Sequence, residues 1–172
     1  MMRWLPFLLG AVLFAALYLG LKKPEGHVIA SQMVGQPLPQ FRASPINGAE
    51  LGLASSDFHG GKPRLLNVFA SWCEPCKAEA PALLQLQAAG AELDGLAVHD
   101  TSADLASFLG SYGNPYTRLG IDQDGRGQMA LGSSGVPETF VVDSHGIILY
   151  QHIGAVTEED VPKLLTMLRQ AK

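Results

Sequence analysis

The segment that decides the fold is residues 65–76, Leu65-Leu-Asn-Val-Phe-Ala-Ser-Trp-Cys-Glu-Pro-Cys76. Its first part, Leu65–Ala70, is a nearly continuous apolar run of β-forming residues, which predicts a central strand covered on both faces. In residues 74–89, polar and apolar side chains alternate with a helical period. The two cysteines, Cys73 and Cys76, therefore lie where a buried strand gives way to the first turn of a helix.

This position favours redox chemistry at Cys73. Unpaired backbone N–H groups and the positive end of the helix dipole stabilise a thiolate and lower the pKa of its thiol. Cys76 follows within the same turn, so the two can close a disulfide, and we expect Cys73 to attack a partner disulfide and Cys76 to resolve the mixed intermediate. Trp72 and Glu74 flank the outer sulfur, and Pro75 suits the first turn of a helix and stiffens it.

A C-x-x-C motif can also belong to a zinc site or to a structural disulfide, and both roles fit this chain poorly. A zinc site needs four ligands, but the chain has only two cysteines, and its five histidines are dispersed. A purely structural disulfide would close a four-residue loop, which constrains little chain entropy. We therefore expect a redox-active disulfide, with no bound cofactor and no metal.

The remaining predicted elements follow the same helical and strand patterns. They are a strand at Leu96–His99, a helix at Asp104–Tyr112, strands at Glu138–Val142 and Ile147–Ile153, and a last helix with Thr157 as its N-cap. This order is that of an α/β fold, a thioredoxin-like three-layer sandwich with a mixed central sheet. In that fold a cis-proline faces the cysteines, and Pro137, preceded by Val136, is the candidate, although an ordinary strand-entry proline is the alternative. We expect Val136 and Pro137 to shape the active site and its partner groove, together with Trp72, Glu74 and Pro75.

Three regions are expected along the chain: an amino-terminal transmembrane anchor at residues 1–22, a polar tether at 23–32 and one domain at 33–172. Leu5–Leu21 carries no charge and, as a helix, would span about 25 Å, the short end of a bilayer core. A cleaved signal peptide is the alternative. Flanking charges are nearly balanced, so they do not settle the orientation.

Composition excludes some function classes. The net charge is −4 and the basic residues are scattered, which argues against nucleic-acid binding. Charged residues make up 16% of the chain, below the roughly 25% of an average soluble domain, as expected if part of it lies in lipid. The absence of cysteines outside the C-x-x-C suits an oxidising compartment, although many cytosolic proteins share it.

Most of the chain resembles one family. The matching stretches are Met33–Phe41, Leu66–Lys77, Gly113–Tyr116 and Gly135–Asp143, together with the amino-terminal apolar run. They resemble the cytochrome c maturation thiol–disulfide proteins, CcmG/DsbE, of the thioredoxin superfamily. Departures from that pattern occur at residues 99–101 and at 133–134, near the expected partner groove.

The resemblance implies a single-pass protein of the bacterial inner membrane with its catalytic domain in the periplasm. It would act as a reductant for apocytochrome c or a cytochrome c maturation partner. Its electrons would come from a transmembrane donor of the DsbD/CcdA kind. A general periplasmic reductase and a redox-inert adaptor that binds cysteine-containing peptides are the alternatives.

Resolution of the mixed disulfide requires a base for the Cys76 thiol. Thioredoxins carry a buried Asp in the strand before the motif, whereas this chain, like the family it resembles, has Asn67. We expect Glu79 to supply the carboxylate, because it shares a helix face with Cys76. Glu138, after the candidate cis-proline, is expected to approach the same site. The alternative for Glu79 is an exposed helix residue. Acids near the sulfurs oppose the helix dipole and predict a reducing couple.

Overall fold

The computed structural model describes residues 33–46 and 52–171, together with residues 4, 7, 9, 10, 12–15 and 18 near the amino terminus. The chain divides into two compact units, Met1–Ala30 and Ser31–Lys172. In the first unit the described residues from 7 onward are helical, and their apolar side chains are exposed. Among the described residues, no helix has the length and apolar character needed to cross a membrane. Most of the expected anchor, and all of the 23–32 tether, lie outside the described residues.

The described residues of the second unit form seven strands and four α-helices. In chain order they are β1 (Arg42–Pro45), β2 (Leu53–Ala54), β3 (Arg64–Phe69), α1 (Glu74–Ala88), β4 (Leu93–Val98), α2 (Ser102–Tyr112), β5 (Arg118–Asp122), α3 (Arg126–Ala130), β6 (Glu138–Val142), β7 (Ile148–Ile153) and α4 (Val161–Gln170). A 3-10 turn, Ser55–Phe58, follows β2.

The strands form one mixed sheet in the order β2-β1-β5-β4-β3-β6-β7. Strands β3, β4 and β5 are parallel, while β6 pairs with β3 and with β7 in antiparallel fashion. β3 is buried along its whole length, as its apolar run predicts. The predicted thioredoxin-like α/β fold with a mixed sheet is therefore confirmed.

Helices α1 and α2 cover the same face of this sheet. Asn67 of β3 donates a hydrogen bond to Glu79 of α1, and the ring of Phe69, on the same face of β3, lies 5.8 Å from that of Phe108 of α2. Both helices connect neighbouring parallel strands, so right-handed crossovers place them on one side. α4 packs beside α1, and the short α3 packs against β4 and β5.

The structure corrects the predicted start of the last helix. Thr157 is not its N-cap, because the helix begins at Val161 with Asp160 in the capping position. The N–H and hydroxyl of Thr157 instead both donate to the Asp160 carboxylate, which closes a turn. Pro162 then falls in the first helical turn, where a missing N–H costs no hydrogen bond.

The carboxyl-proximal strands were predicted within a residue or so, whereas β1, β2, β5 and α3 were not predicted. β4 also begins at Leu93, three residues before its predicted start. These elements are short or contain glycine, so their sequences carry little periodic signal. The strands among them are held in the sheet by backbone pairing with their neighbours.

A buried ion pair links β3 and β4 at the end of the sheet that lies away from the cysteines. Arg64 of β3 donates from Nη2 to Oδ1 of Asp94 at 3.0 Å, and its Nε lies 2.8 Å from Oδ2. The same guanidinium lies 3.1 Å from Glu92. Asp94 is fully buried, so its charge depends on this partner.

Replacing Arg64 alone should therefore be costly. Arg64→Met should lower the free energy of unfolding by about 3–5 kcal/mol, because it leaves Asp94 buried without its partner. The double variant Arg64→Met/Asp94→Leu should recover most of that loss, since it removes both charges. Denaturant unfolding of the three proteins measures this. A double variant no more stable than the single one would contradict the account.

Candidate active site

Cys73 and Cys76 form a disulfide at the start of α1, with their Cα atoms 5.3 Å apart. Cys73 is the N-cap of the helix, and its Sγ accepts a hydrogen bond from the Cys76 N–H at 3.2 Å. Glu74 and Pro75 begin the helix, as predicted. The outer sulfur thus lies at the positive end of the helix dipole, which favours a thiolate there once the disulfide is reduced.

The segment that leads into the motif is held by residues after β4. The carboxylate of Asp100 accepts hydrogen bonds from the Ser71 N–H at 2.6 Å and from the Ser71 hydroxyl at 2.7 Å. The indole N–H of Trp72 donates to the carbonyl of His99 at 3.2 Å, although 59% of the Trp72 residue is exposed. His99 has a positive φ of 49°, uncommon for a residue with a side chain. These contacts fix the backbone from which Cys73 projects.

The peptide bond between Val136 and Pro137 is cis, as predicted. β6 starts immediately afterwards at Glu138, which pairs with Val68 near the end of β3. Pro137 therefore lies at the end of the sheet from which β3 leads into Cys73. The predicted role of Val136 and Pro137 in shaping a partner groove stays a prediction.

Glu79 is buried, with 1% of its surface exposed, so the alternative of an exposed helix residue is wrong. Its Oε1 accepts from the amide of Asn67 at 3.1 Å, and its Oε2 accepts from the backbone N–H of Val156 at 3.0 Å. It lies one helical turn beyond Cys76 in α1, and Cys76 is buried as well. The two groups share the inner side of the helix.

Two opposing effects act on the Glu79 carboxyl. Burial disfavours the charged form and is the larger effect, whereas the hydrogen bonds from Val156 and Asn67 favour it. The result is a pKa of Glu79 raised to about 7. The group can therefore exchange a proton near neutral pH, as a proton acceptor for a thiol requires.

Two further residues complete the buried network, and sequence reasoning did not identify either. The Tyr116 hydroxyl donates to Oδ1 of Asn67 at 2.8 Å, and the Asn67 amide also donates to the Thr139 hydroxyl at 3.0 Å. Burial, with the Glu79 charge as a smaller cause, raises the pKa of Tyr116 well above its ordinary value. The sequence is compatible with Tyr116 as a partner contact, a loop residue or a core residue, and the structure places it in the core.

Glu138 is also buried, but it lies on the other face of the sheet. Its register partner is Val68, whereas Asn67 pairs with Thr139 on the face that carries Glu79. The Ser134 N–H and hydroxyl donate to Glu138 Oε1, and the Gln151 amide donates to Oε2. The structure therefore does not bring the two acids together, and a catalytic role for Glu138 stays a prediction.

The remaining features of the predicted site are easily placed. Glu74 is exposed and pairs with Lys77 at 2.7 Å, so its charge is solvated. Within residues 33–46 and 52–171 and the few described near the amino terminus, no group of three or more His, Cys, Asp or Glu side chains is arranged to hold a metal.

Comparisons with known proteins agree with this site. The sequence model of the Redoxin family matches residues 33–168. The thiol:disulfide interchange protein HelX of Rhodobacter capsulatus is 36% identical over 167 residues, which cover 97% of this chain and 94% of HelX. The chain belongs to the CcmG/DsbE group of redoxins. The thiol:disulfide interchange protein DsbE of Escherichia coli (strain K12) is 38% identical over 140 residues, 79% of this chain and 76% of DsbE.

Solved structures show the same fold. A thiol:disulfide interchange protein described as DsbE, from Chlorobium tepidum, superposes with a TM-score of 0.67 and 26% identity, covering 80% of this chain and 96% of its own. DsbF of Mycobacterium tuberculosis superposes with a TM-score of 0.66 and 26% identity, covering 76% of this chain and 96% of DsbF. The chain is therefore a thiol–disulfide oxidoreductase, and Cys73–Cys76 is its redox-active disulfide.

The raised pKa of Glu79 should be visible in stability. Between about pH 4.5 and 7 the folded protein keeps the Glu79 proton that the unfolded chain releases, so the free energy of unfolding falls as pH rises. The change from 4.5 to about 7 corresponds to about 3 kcal/mol. Glu79→Gln has no carboxyl group to titrate. The difference between its free energy of unfolding and that of the wild type should therefore rise by about 3 kcal/mol between pH 4.5 and 7. Glu74→Gln, on the same helix, provides the baseline. A pH-independent difference for Glu79→Gln would contradict the assignment.

Asp100 should matter because it holds the backbone before the motif. Asp100→Ala leaves the Ser71 N–H without its acceptor and should lower the free energy of unfolding by about 2–3 kcal/mol. It should also slow reduction of glutathione disulfide by the reduced protein. Asp100→Asn keeps one acceptor oxygen and should recover part of both losses. An Asp100→Ala protein as stable and as active as wild type would show that these bonds do not position Cys73.

Proposed function

We propose that this protein is a membrane-anchored periplasmic reductant in cytochrome c maturation. Its substrates would be disulfides of apocytochrome c or of a maturation partner protein. The observation that carries the direction of electron flow is the buried Glu79 carboxyl, one helical turn beyond the inner cysteine. When ionised, its negative charge opposes a thiolate at the cysteines, so it works against the strongly stabilised attacking thiolate that characterises a strong oxidant.

The reaction proceeds by two thiol–disulfide exchanges. The Cys73 thiolate attacks one sulfur of the substrate disulfide, and the other substrate sulfur leaves as a thiolate that takes up a proton. Cys76 then loses its thiol proton to Glu79 and attacks Sγ of Cys73, and the second substrate sulfur leaves as a thiolate that takes up a proton. Two electrons pass to the substrate, and the protein is left with the Cys73–Cys76 disulfide.

The cytochrome c assignment is supported by membership of the CcmG/DsbE group and by the motifs that carry the resemblance. An uncharged run, Leu5–Leu21, supports the anchor, which would hold the domain beside a transmembrane thiol donor of the DsbD/CcdA kind. Such a donor would return the disulfide to the dithiol after each cycle. The protein needs no cofactor beyond its two sulfurs.

A trapping experiment tests this proposal. Cys76→Ser leaves Cys73 free to attack but removes the sulfur that resolves the mixed disulfide, so substrates should accumulate as covalent complexes. We expect apocytochromes or maturation proteins among them, recovered with the inner membrane. The double variant Cys73→Ser/Cys76→Ser is the matched control, because it cannot form a mixed disulfide.

Mass spectrometry of the trapped species, released by a reductant, identifies the partners. A broad set of unrelated envelope proteins would contradict the dedicated role and favour a general reductase. No mixed disulfide at all would contradict reduction and favour the adaptor.

A further inference from the structure

An open hollow of about 530 Å³ lies beside the redox motif, between the start of α1 and α2. Trp72 and Tyr112 line it together with Phe108, and Ser107 and Ser111 add hydroxyl groups. Its volume is within the range of natural ligand sites. The two exchange steps between the sulfurs do not use it.

The aromatic lining is both exposed and held in place. Trp72 is 59% exposed and fixed by its indole hydrogen bond to His99, while Tyr112 is 40% exposed and its ring lies 5.2 Å from that of Phe108. Phe108 in turn contacts Phe69 of the core at 5.8 Å. Within residues 33–46 and 52–171, Trp72 and Tyr112 are the two aromatic residues among the large exposed apolar side chains, and both line this hollow.

The polar lining suits an uncharged peptide. The Ser111 hydroxyl donates to the Ser107 carbonyl at 2.9 Å, so its oxygen still has lone pairs to accept a peptide N–H. The two charged side chains at the edge are already paired. Lys77 lies 2.7 Å from Glu74, and Asp104 accepts from Thr101 at 2.7 Å.

The hollow borders the redox motif, because its lining residues Ser71 and Trp72 directly precede Cys73. A polypeptide joined to Cys73 in a mixed disulfide is therefore close enough to reach it. We propose that the hollow binds an aromatic side chain of the partner polypeptide, located a few residues from the cysteine that Cys73 attacks. The proposal rests on exchange with a polypeptide disulfide, which is part of the proposed function, but not on that partner being an apocytochrome.

Aromatic rings give the best match to this lining. A ring between Trp72 and Tyr112 can pair with both in tilted or offset geometry, and each such pair contributes beyond the area that it buries. An aliphatic side chain would bury area but would lack these pairs. Phe108 forms the base and keeps Tyr112 in position.

The test uses two synthetic peptides, identical except for Phe or Ala three residues from a disulfide-bonded cysteine, and the full-length reduced protein. The Phe peptide should be reduced with a kcat/KM about 3- to 10-fold higher, mainly through KM. Tyr112→Ala should remove this preference while leaving reduction of glutathione disulfide unchanged. Ser107→Leu, which fills the hollow without removing a ring, should also abolish the preference for the Phe peptide and leave reduction of glutathione disulfide unchanged.

Leu149→Ala is the matched control, since Leu149 is similarly exposed, at 38%, and lies in β7 away from the motif. It should keep the preference for the Phe peptide. Equal rates for the two peptides with wild-type protein, or an unchanged preference in Tyr112→Ala, would overturn the proposal and leave the reductase function intact. Failure to reduce both the peptides and glutathione disulfide would overturn both.

Discussion

A carboxyl group kept out of water, one helical turn beyond the inner cysteine, organises the active site. Burying Glu79 is unfavourable for its charged form, so the fold must supply donors to both of its oxygens. One donor comes from β3 through Asn67, and the other comes from the segment before α4 through Val156. Hydrogen bonds to the Glu79 carboxyl thus link β3, α1 and the segment before α4 at the group that exchanges a proton.

The two sulfurs experience opposite electrostatic environments. Cys73 at the helix start receives the positive end of the dipole, whereas Cys76 faces the interior that holds Glu79. The first environment favours the attacking thiolate, and the second favours a thiol that loses its proton only when resolution requires it. One short helical turn therefore separates two different tasks.

Local patterns in the sequence were enough to predict the core of this arrangement. The apolar run of β3, the C-x-x-C at the helix start and the Gly-Val-Pro before β6 each have a signal within a few residues. Helical periodicity also placed Glu79 on the side of Cys76. It could not establish the burial of Glu79, because its partner Val156 lies 77 residues away along the chain.

Other features depend on long-range pairing that a single sequence does not display. Tyr116 lies in a segment that looks like a loop, and its hydroxyl finds Asn67 only in the folded protein. The position of Glu138 directly after the cis-proline suggests that it would join Glu79. Strand alternation directs it to the opposite face, where Ser134 and Gln151 bind it.

The role of Glu79 as the proton acceptor for Cys76 is best tested by titrating its side chain. The ¹³C chemical shift of its carboxyl carbon, assigned by its loss in Glu79→Gln, can be followed with pH in the disulfide form of the protein. The buried, hydrogen-bonded carboxyl should titrate with a midpoint at about pH 7. A midpoint near the ordinary value of 4.5 would mean that the carboxylate is too weak a base to take the Cys76 thiol proton efficiently, and would contradict this role for Glu79.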